Sequence, residues 1–125
     1  MIVDDVKTWL LGEGFDGAIA VKPDDVADTS PYWVLTVPTS QVDGSIGEPD
    51  SERHPLMQVK SVGNSTEQAL ALHGRMVDRL LSYTGDAIQL VVLENENGPH
   101  RDDERYPGPH AFYTVALARI RTTDN

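Results

Sequence analysis

Apolar residues recur at helical spacing in two parts of this chain. Residues 3–11 combine such spacing with acidic residues in the first turn, where negative charge stabilises a helix, and glycines follow directly. A second helix is predicted to begin after Asn64 or Ser65, either of which can cap it, and to end at about Tyr83. Its apolar stripe consists of Ala69, Leu72, Met76, Val77, Leu80 and Leu81. Each helix should therefore pack one face against a neighbouring layer.

Five further segments are predicted as β-strands, because their apolar residues alternate with polar ones or form short runs bounded by Gly and Pro. These are residues 18–22, 32–37, 56–62, 87–93 and 111–120. The last two are apolar on both alternating faces, a pattern typical of strands in the middle of a sheet. We therefore expect both of them to lie centrally.

Two long polar segments separate these elements. Residues 39–55 and 94–110 lack apolar periodicity and contain several glycines and prolines, so both are predicted as loops. Loops longer than about 12–15 residues in a compact domain usually have a function or are mobile. Together the patterns predict one α+β domain over residues 1–125, with a mixed, mostly antiparallel sheet of about five strands, two helices packed on it and two long loops.

Acidic residues are concentrated in and beside these polar segments. The 125-residue chain has a formal net charge of -10, and 39% of its residues are hydrophobic, which is lean but sufficient for a core. Residues 24–52 hold seven acids and no base, and residues 94–104 hold five acids and one base. The rest of the chain is nearly neutral. This distribution argues against binding nucleic acid through phosphate contacts, which need clustered Lys and Arg.

Several classes of protein do not fit the composition. The chain has no cysteine, which excludes disulfides, cysteine-ligated zinc and thiol catalysis. No run approaches the roughly 18 apolar residues of a membrane span, and the N-terminal segment is charged where a signal peptide would be apolar. We therefore expect a soluble protein with no membrane partner.

Three histidines lie in or beside the long polar segments. His54, His100 and His110 are candidate metal ligands, and Asp102 and Asp103 follow His100 closely. No paired spacing such as HxxxH is present, so exposed polar loops are the preferred interpretation. A metal site would require groups from both segments to converge.

Nothing else in the sequence indicates catalysis or cofactor binding. His73 lies on the apolar side of the second predicted helix, which favours a partly buried packing role. Ser65 and Thr66 fit helix capping better than nucleophilic attack. The glycines of GEGFDG follow a helix and precede a strand, whereas a dinucleotide fingerprint needs the opposite order. The chain is therefore predicted not to be an enzyme and to need no cofactor.

A short helix ending in Gly, a strand with Trp33 before a loop, and an acidic segment occur in this order along the chain. Residues 55–81 (PLMQVKSVGNSTEQALALHGRMVDRLL) combine a strand, Val-Gly, a capping Ser or Thr and an amphipathic helix. The final strand has the form RYPGPHAFYTVALARIR. Over most of the chain, this succession resembles the tail terminator family of long-tailed (siphovirus-type) bacteriophages, especially actinobacterial ones.

The resemblance implies a structural virion protein. It implies a small α/β subunit that forms a ring of six copies on the end of the tail tube, stops tube polymerisation and provides the attachment surface for the head. It further implies contacts with the tail tube protein and a head-closure or neck protein, and a location in the tail or neck of a virion assembled in the host cytoplasm. DNA would pass through without specific binding. The resemblance implies no catalytic residues. It implies that loops and a sheet edge lie at the interfaces and that the helices face the outside.

Charged residues of the two long segments are the candidate contacts for such a subunit. The suspected interface with neighbouring subunits or the tube consists of Arg53, His54, Arg101, Asp102, Asp103, Arg105 and Tyr106. The acids suspected of lining the channel, where they would repel passing DNA, are Asp43, Glu48, Asp50, Glu94 and Glu96. For each arginine, charge balance with its own neighbours in a solvated loop is an equal alternative.

Three other functions are compatible with parts of the sequence. The chain could be another neck component, such as a head-closure or connector ring. It could be an acidic DNA mimic, which would need carboxylates along one continuous face. A small metal-dependent hydrolase would need His54, His100 and Asp102 or Asp103 to converge, and the metal content of the purified protein tests that alternative.

Overall fold

One five-stranded sheet with two helices on one of its faces forms the fold. The computed structural model describes residues 2–37, 56–83 and 88–122. In chain order the elements are α1 (Ile2–Leu11), β1 (Asp16–Ile19), β2 (Tyr32–Thr36), β3 (Leu56–Gly63), α2 (Thr66–Leu81), β4 (Ile88–Arg101) and β5 (Phe112–Thr122). The strand order is β1-β2-β3-β5-β4, with β1 and β2 parallel and the other pairs antiparallel. The predicted α+β domain with a mixed, mostly antiparallel sheet and two packed helices is confirmed.

Alternate residues of the strands build the core beneath the helices. Trp33 and Leu35 of β2 and Met57 and Val59 of β3 are buried side by side on the face that the helices cover. The rest of this cluster comes from both helices, β4 and β5, and consists of Val6, Leu10, Leu72, Met76, Leu80, Val91, Ala118 and Ile120. Of the apolar stripe predicted for the second helix, Leu72, Met76 and Leu80 belong to this cluster, whereas Leu81 is exposed.

The two helices are joined by reciprocal hydrogen bonds. The indole Nε1 of Trp9 donates to the carbonyl oxygen of Arg79 at 2.7 Å, and Nε of Arg79 donates to the carbonyl oxygen of Trp9 at 2.9 Å. The guanidinium of Arg79 also lies 3.8 Å from the centre of the Trp9 ring, within the range of a cation–π interaction. These contacts fix α1 against the C-terminal end of α2.

A side-chain cap begins α2. Oγ of Ser65 accepts a hydrogen bond from the backbone N–H of Gln68 at 3.1 Å, and Oε1 of Gln68 accepts one from the backbone N–H of Asn64 at 2.6 Å. This arrangement satisfies backbone donors that a helix start leaves without partners. Of the two predicted capping positions, Ser65 is the cap and Asn64 lies one residue before it.

We expect Ser65→Ala to lower the free energy of unfolding by about 1 kcal/mol, because the backbone N–H of Gln68 loses its acceptor. Urea denaturation followed by circular dichroism measures the change. Thr66→Ala is the matched control, since Thr66 is exposed and should change stability by less than about 0.5 kcal/mol. Equal stability of the two variants would contradict the role assigned to Ser65.

The fourth strand is twice as long as the sequence predicts. Residues 94–101, expected to belong to a long loop, extend β4 and pair with β5 as far as Arg101 opposite Phe112. Three register shifts interrupt this ladder, and Gly98, whose φ of +109° suits glycine, lies within the last of them. The loop prediction for this part was wrong because pairing with the long apolar β5 overrides the weak strand propensity of ENENGPHR. Only residues 102–111 connect the two strands.

The position of β4 in the sheet also differs from the prediction. β5 lies between β3 and β4 as expected, whereas β4 is at one edge of the sheet. A continuous apolar run indicates that both faces of a strand contact other groups, but it carries no information on whether both edges are paired. The other end of the sheet is β1, which begins two residues earlier than predicted. The predicted loop at 39–55 lies outside the described residues.

Candidate interaction surfaces

The sheet face opposite the helices is only partly covered. It presents Tyr32, Val34 and Thr36 of β2 and Gln58, Lys60 and Val62 of β3, whose neighbours in sequence point into the core. At one end of this face, Val26 from the β1–β2 connection packs on Tyr32 and Val62 in a second, smaller apolar cluster. No helix in the described ranges contributes to that cluster, so the described helices leave this face uncovered.

A groove of about 280 Å³ lies on this face. Its lining combines apolar and polar side chains of β2 and β3, with residues 20–22 of the β1–β2 connection on one side and Arg105 on another. Lys22, Lys60 and Arg105 all line it, and none of the described carboxylates does. We call this feature the cationic groove. In a chain with a net charge of -10, it is a local concentration of positive charge.

Aromatic rings position the two lysines of the cationic groove. Nζ of Lys22 lies 5.6 Å from the centre of the Tyr32 ring, and Nζ of Lys60 lies 4.5 Å from the centre of the Tyr113 ring. Both distances permit cation–π attraction, which holds the ammonium groups above the sheet while leaving donors free for an anion. Arg105 differs, because its Nε is 3.4 Å from Oδ2 of Asp102.

The predicted interface residues of the β4–β5 connection form contacts with one another. Nε of Arg101 donates to Oδ1 of Asp103 at 2.8 Å, and Arg105 pairs with Asp102. The exposed ring of Tyr106 lies 4.5 Å from the guanidinium of Arg101. Arg101 and Arg105 thus balance acids of their own segment. This agrees with the alternative in which these arginines neutralise their own neighbours rather than contact another subunit. Arg53 and His54 lie outside the described residues.

The two described channel candidates, Glu94 and Glu96, lie on a strand. Oε1 of Glu94 is 3.7 Å from Nε of Arg119, and Oε1 of Glu96 is 2.6 Å from Nε2 of His73. Their side chains are nevertheless 40% and 50% exposed. The prediction that residues 94–110 form a loop was therefore wrong for this pair, because residues 94–101 extend β4. Asp43, Glu48 and Asp50 lie outside the described residues.

The described histidines have structural contacts. His73 is buried on α2, as predicted. His110, expected in an exposed loop, is 2% exposed: its Nε2–H donates to the carbonyl oxygen of Ser30 at 2.6 Å, and its ring packs edge-on against Tyr32. Nε2 of His100 is 2.6 Å from Oδ1 of Asn97. Among the described residues, no three His, Asp or Glu side chains converge as metal ligands would.

Sequence reasoning did not find the cationic groove, although part of its signal was present. Gln58 and Lys60 alternate with apolar residues in β3, which is typical of a strand with one solvent-facing side. Lys22 and Arg105 approach this face only through the path of two connections, and connection paths cannot be derived from hydrophobic periodicity.

Comparisons with known proteins do not assign the chain to a family. No protein-family model matches it, and no curated protein matches it. Within the described ranges, neither helix is long and apolar enough to span a membrane.

Proposed function

We propose that this chain is a structural subunit of a bacteriophage tail, assembling with copies of itself into a ring of six on the end of the tail tube. In this role it stops tube polymerisation and provides the surface to which the head and neck attach. The observation that supports this function most is a helix-covered core combined with a second sheet face that no described helix covers. A ring subunit needs both, because the core keeps its shape while the second face contacts a neighbour.

The local structure of residues 56–81 is consistent with the resemblance. β3 ends at Gly63, Ser65 caps α2, and the apolar stripe of α2 packs on the sheet. The resemblance is strongest over this segment. The same succession of strand, cap and amphipathic helix therefore forms the centre of the fold, so the shared motifs lie in its core.

The acidic charge suits a channel through which DNA passes. Six copies would carry about -60 formal charges, from -10 per chain. On the edge strand β4, the side chain of Glu96 is 50% exposed. Such charges on the inner wall of a ring would repel the phosphate backbone and keep DNA from adhering. Their location on the outer rim of an assembled ring would contradict this part of the proposal.

Deletion of the gene from its phage, followed by electron microscopy of the lysate, tests the function. We expect tails much longer than those of the parent phage, because nothing would stop the tube protein from polymerising. Complementation with the wild-type gene should restore the parental length. Unaltered virions would contradict any role in tail or neck assembly.

The same experiment separates a terminator from another neck component. A head-closure or connector ring joins two finished parts, so its loss would leave tails of normal length beside unattached heads. Such a lysate would contradict termination and support the connector. Overlong tails would support the terminator.

A DNA mimic is less well supported by the described acids. Glu96 contacts His73 on the helix-covered side of the sheet, whereas Glu94 contacts Arg119, which alternates with core residues of β5. The two carboxylates therefore turn toward opposite faces. A mimic needs its carboxylates along one continuous face.

A further inference from the structure

We propose that the cationic groove is the contact between copies of this chain, and that it receives the carboxylate of Glu94 on β4 from the next copy. This inference rests on the proposed ring and names the surface through which the ring would form. Oε1 of Glu94 is 3.7 Å from Nε of Arg119, and the side chain of Glu94 is 40% exposed, so a neighbouring copy can reach it. The groove presents Lys22 and Lys60.

Charge explains why the contact needs a cationic surface. Identical chains with a net charge of -10 repel one another, so their contact must bring bases of one copy to acids of the next. Most described arginines already have partners in their own chain: Arg75 with Glu13, Arg79 with Trp9, Arg101 with Asp103, Arg105 with Asp102 and Arg119 with Glu94. Within the described part of the chain, Lys22 and Lys60 form no ion pair. Their charges are available to a partner.

The topology places the two complementary surfaces at opposite ends of the sheet. The cationic groove lies on β2 and β3 beside the β1–β2 connection, whereas β4 is the edge strand at the other end. When such copies are placed head to tail, the cationic groove of one copy meets β4 of the next. Repeating this contact gives a closed ring if the rotations between successive copies add up to a full turn.

Side chains rather than backbone pairing should make this contact. Three register shifts interrupt β4, and Pro99 within it has no N–H to donate. Irregular, proline-containing and charged edges are poor templates for an added strand. The carboxylate of Glu94 is the group that β4 offers on this side of the sheet, and the lysine ammonium groups of the groove suit it.

Charge reversal tests the contact. Lys60→Glu should weaken self-association at least about tenfold, measured by sedimentation velocity over a concentration series, because it places like charges in contact. Lys7→Glu on α1 makes the same change in net charge outside the groove and should have little effect. Combining Lys60→Glu with Glu94→Lys in one chain should restore association, since every contact then regains an opposite pair. Unchanged circular dichroism spectra and unfolding midpoints would show that the variants are folded.

The outcomes distinguish this inference from the proposed function. If Lys60→Glu and Lys7→Glu weaken assembly equally, or if neither does, the cationic groove is not the contact, while the ring itself is unaffected. If Lys60→Glu assembles normally but no longer binds tail tubes, the groove serves another protein and the inference is wrong. A wild-type chain that stays monomeric both alone and on tube ends would contradict the ring and the inference together.

Discussion

Replacing Trp33 with Ala is expected to lower the free energy of unfolding by about 4 kcal/mol. The Trp33 side chain is fully buried at the centre of the main core cluster, and its indole Nε1 donates a hydrogen bond to the carbonyl oxygen of Phe15 at 3.2 Å. The substitution removes the largest fully buried side chain, leaves a cavity and frees that carbonyl group. This hydrogen bond also joins Phe15, directly before β1, to Trp33 of β2. In the variant, β1 should therefore be the first strand to lose its native pairing.

Urea denaturation of Trp33→Ala and of Tyr106→Ala measures this effect against a control. Tyr106 is an aromatic residue of similar size that is 49% exposed, so its removal should cost less than about 1 kcal/mol. A loss below about 1 kcal/mol for Trp33→Ala would mean that the indole does not occupy the core position described here.

Gly17→Ala is expected to cost about 3 kcal/mol, a large effect for a single added methyl group. A Cβ at Gly17 would lie 1.9 Å from Cε2 of the Trp33 ring, and two further ring atoms would be within 2.2 Å. The ring cannot move away, because it is enclosed in the core and its Nε1 is hydrogen-bonded. β1 must therefore shift and lose part of its pairing with β2.

The matched control for Gly17→Ala is Gly74→Ala in the interior of α2. A Cβ at Gly74 meets no heavy atom within 4 Å, and alanine is a better helix former than glycine. Gly74→Ala should therefore raise stability by up to about 1 kcal/mol, so the same substitution has opposite signs at the two positions. Trp33→Leu in the Gly17→Ala background should recover part of the loss. Equal effects at both glycines would contradict the described packing of β1 against β2.

Most of the fold follows from hydrophobic periodicity. The spacing of apolar residues located both helices and the five strands, because each element buries one face or stripe against a common core. The cap at Ser65 was predictable because its chemistry is local. The extent of β4 was not, since residues 94–101 have weak strand propensity and are held by pairing with a distant segment. The position of β4 at an edge of the sheet was likewise not predictable, because it depends on the order of the strands and not on the apolar pattern of one strand.

The candidate surfaces were predicted less completely than the fold. The sequence located the acidic segments but not the conformation of Glu94 and Glu96, whose partners Arg119 and His73 come from other elements. His110 was expected to be exposed and is buried, because the ring fills a place beside Tyr32 that exists only after folding. The cationic groove combines residues from two strands and two connections. Such a combination depends on tertiary structure.

The central claim, that this chain caps a growing tail tube, can be measured directly on purified components. Tube protein from the same phage is allowed to polymerise with increasing amounts of this chain, and tube lengths are measured by negative-stain electron microscopy. We expect mean length to fall as the chain is added, with a ring visible at one end of each arrested tube. An unchanged length distribution with bare tube ends would contradict the proposed function.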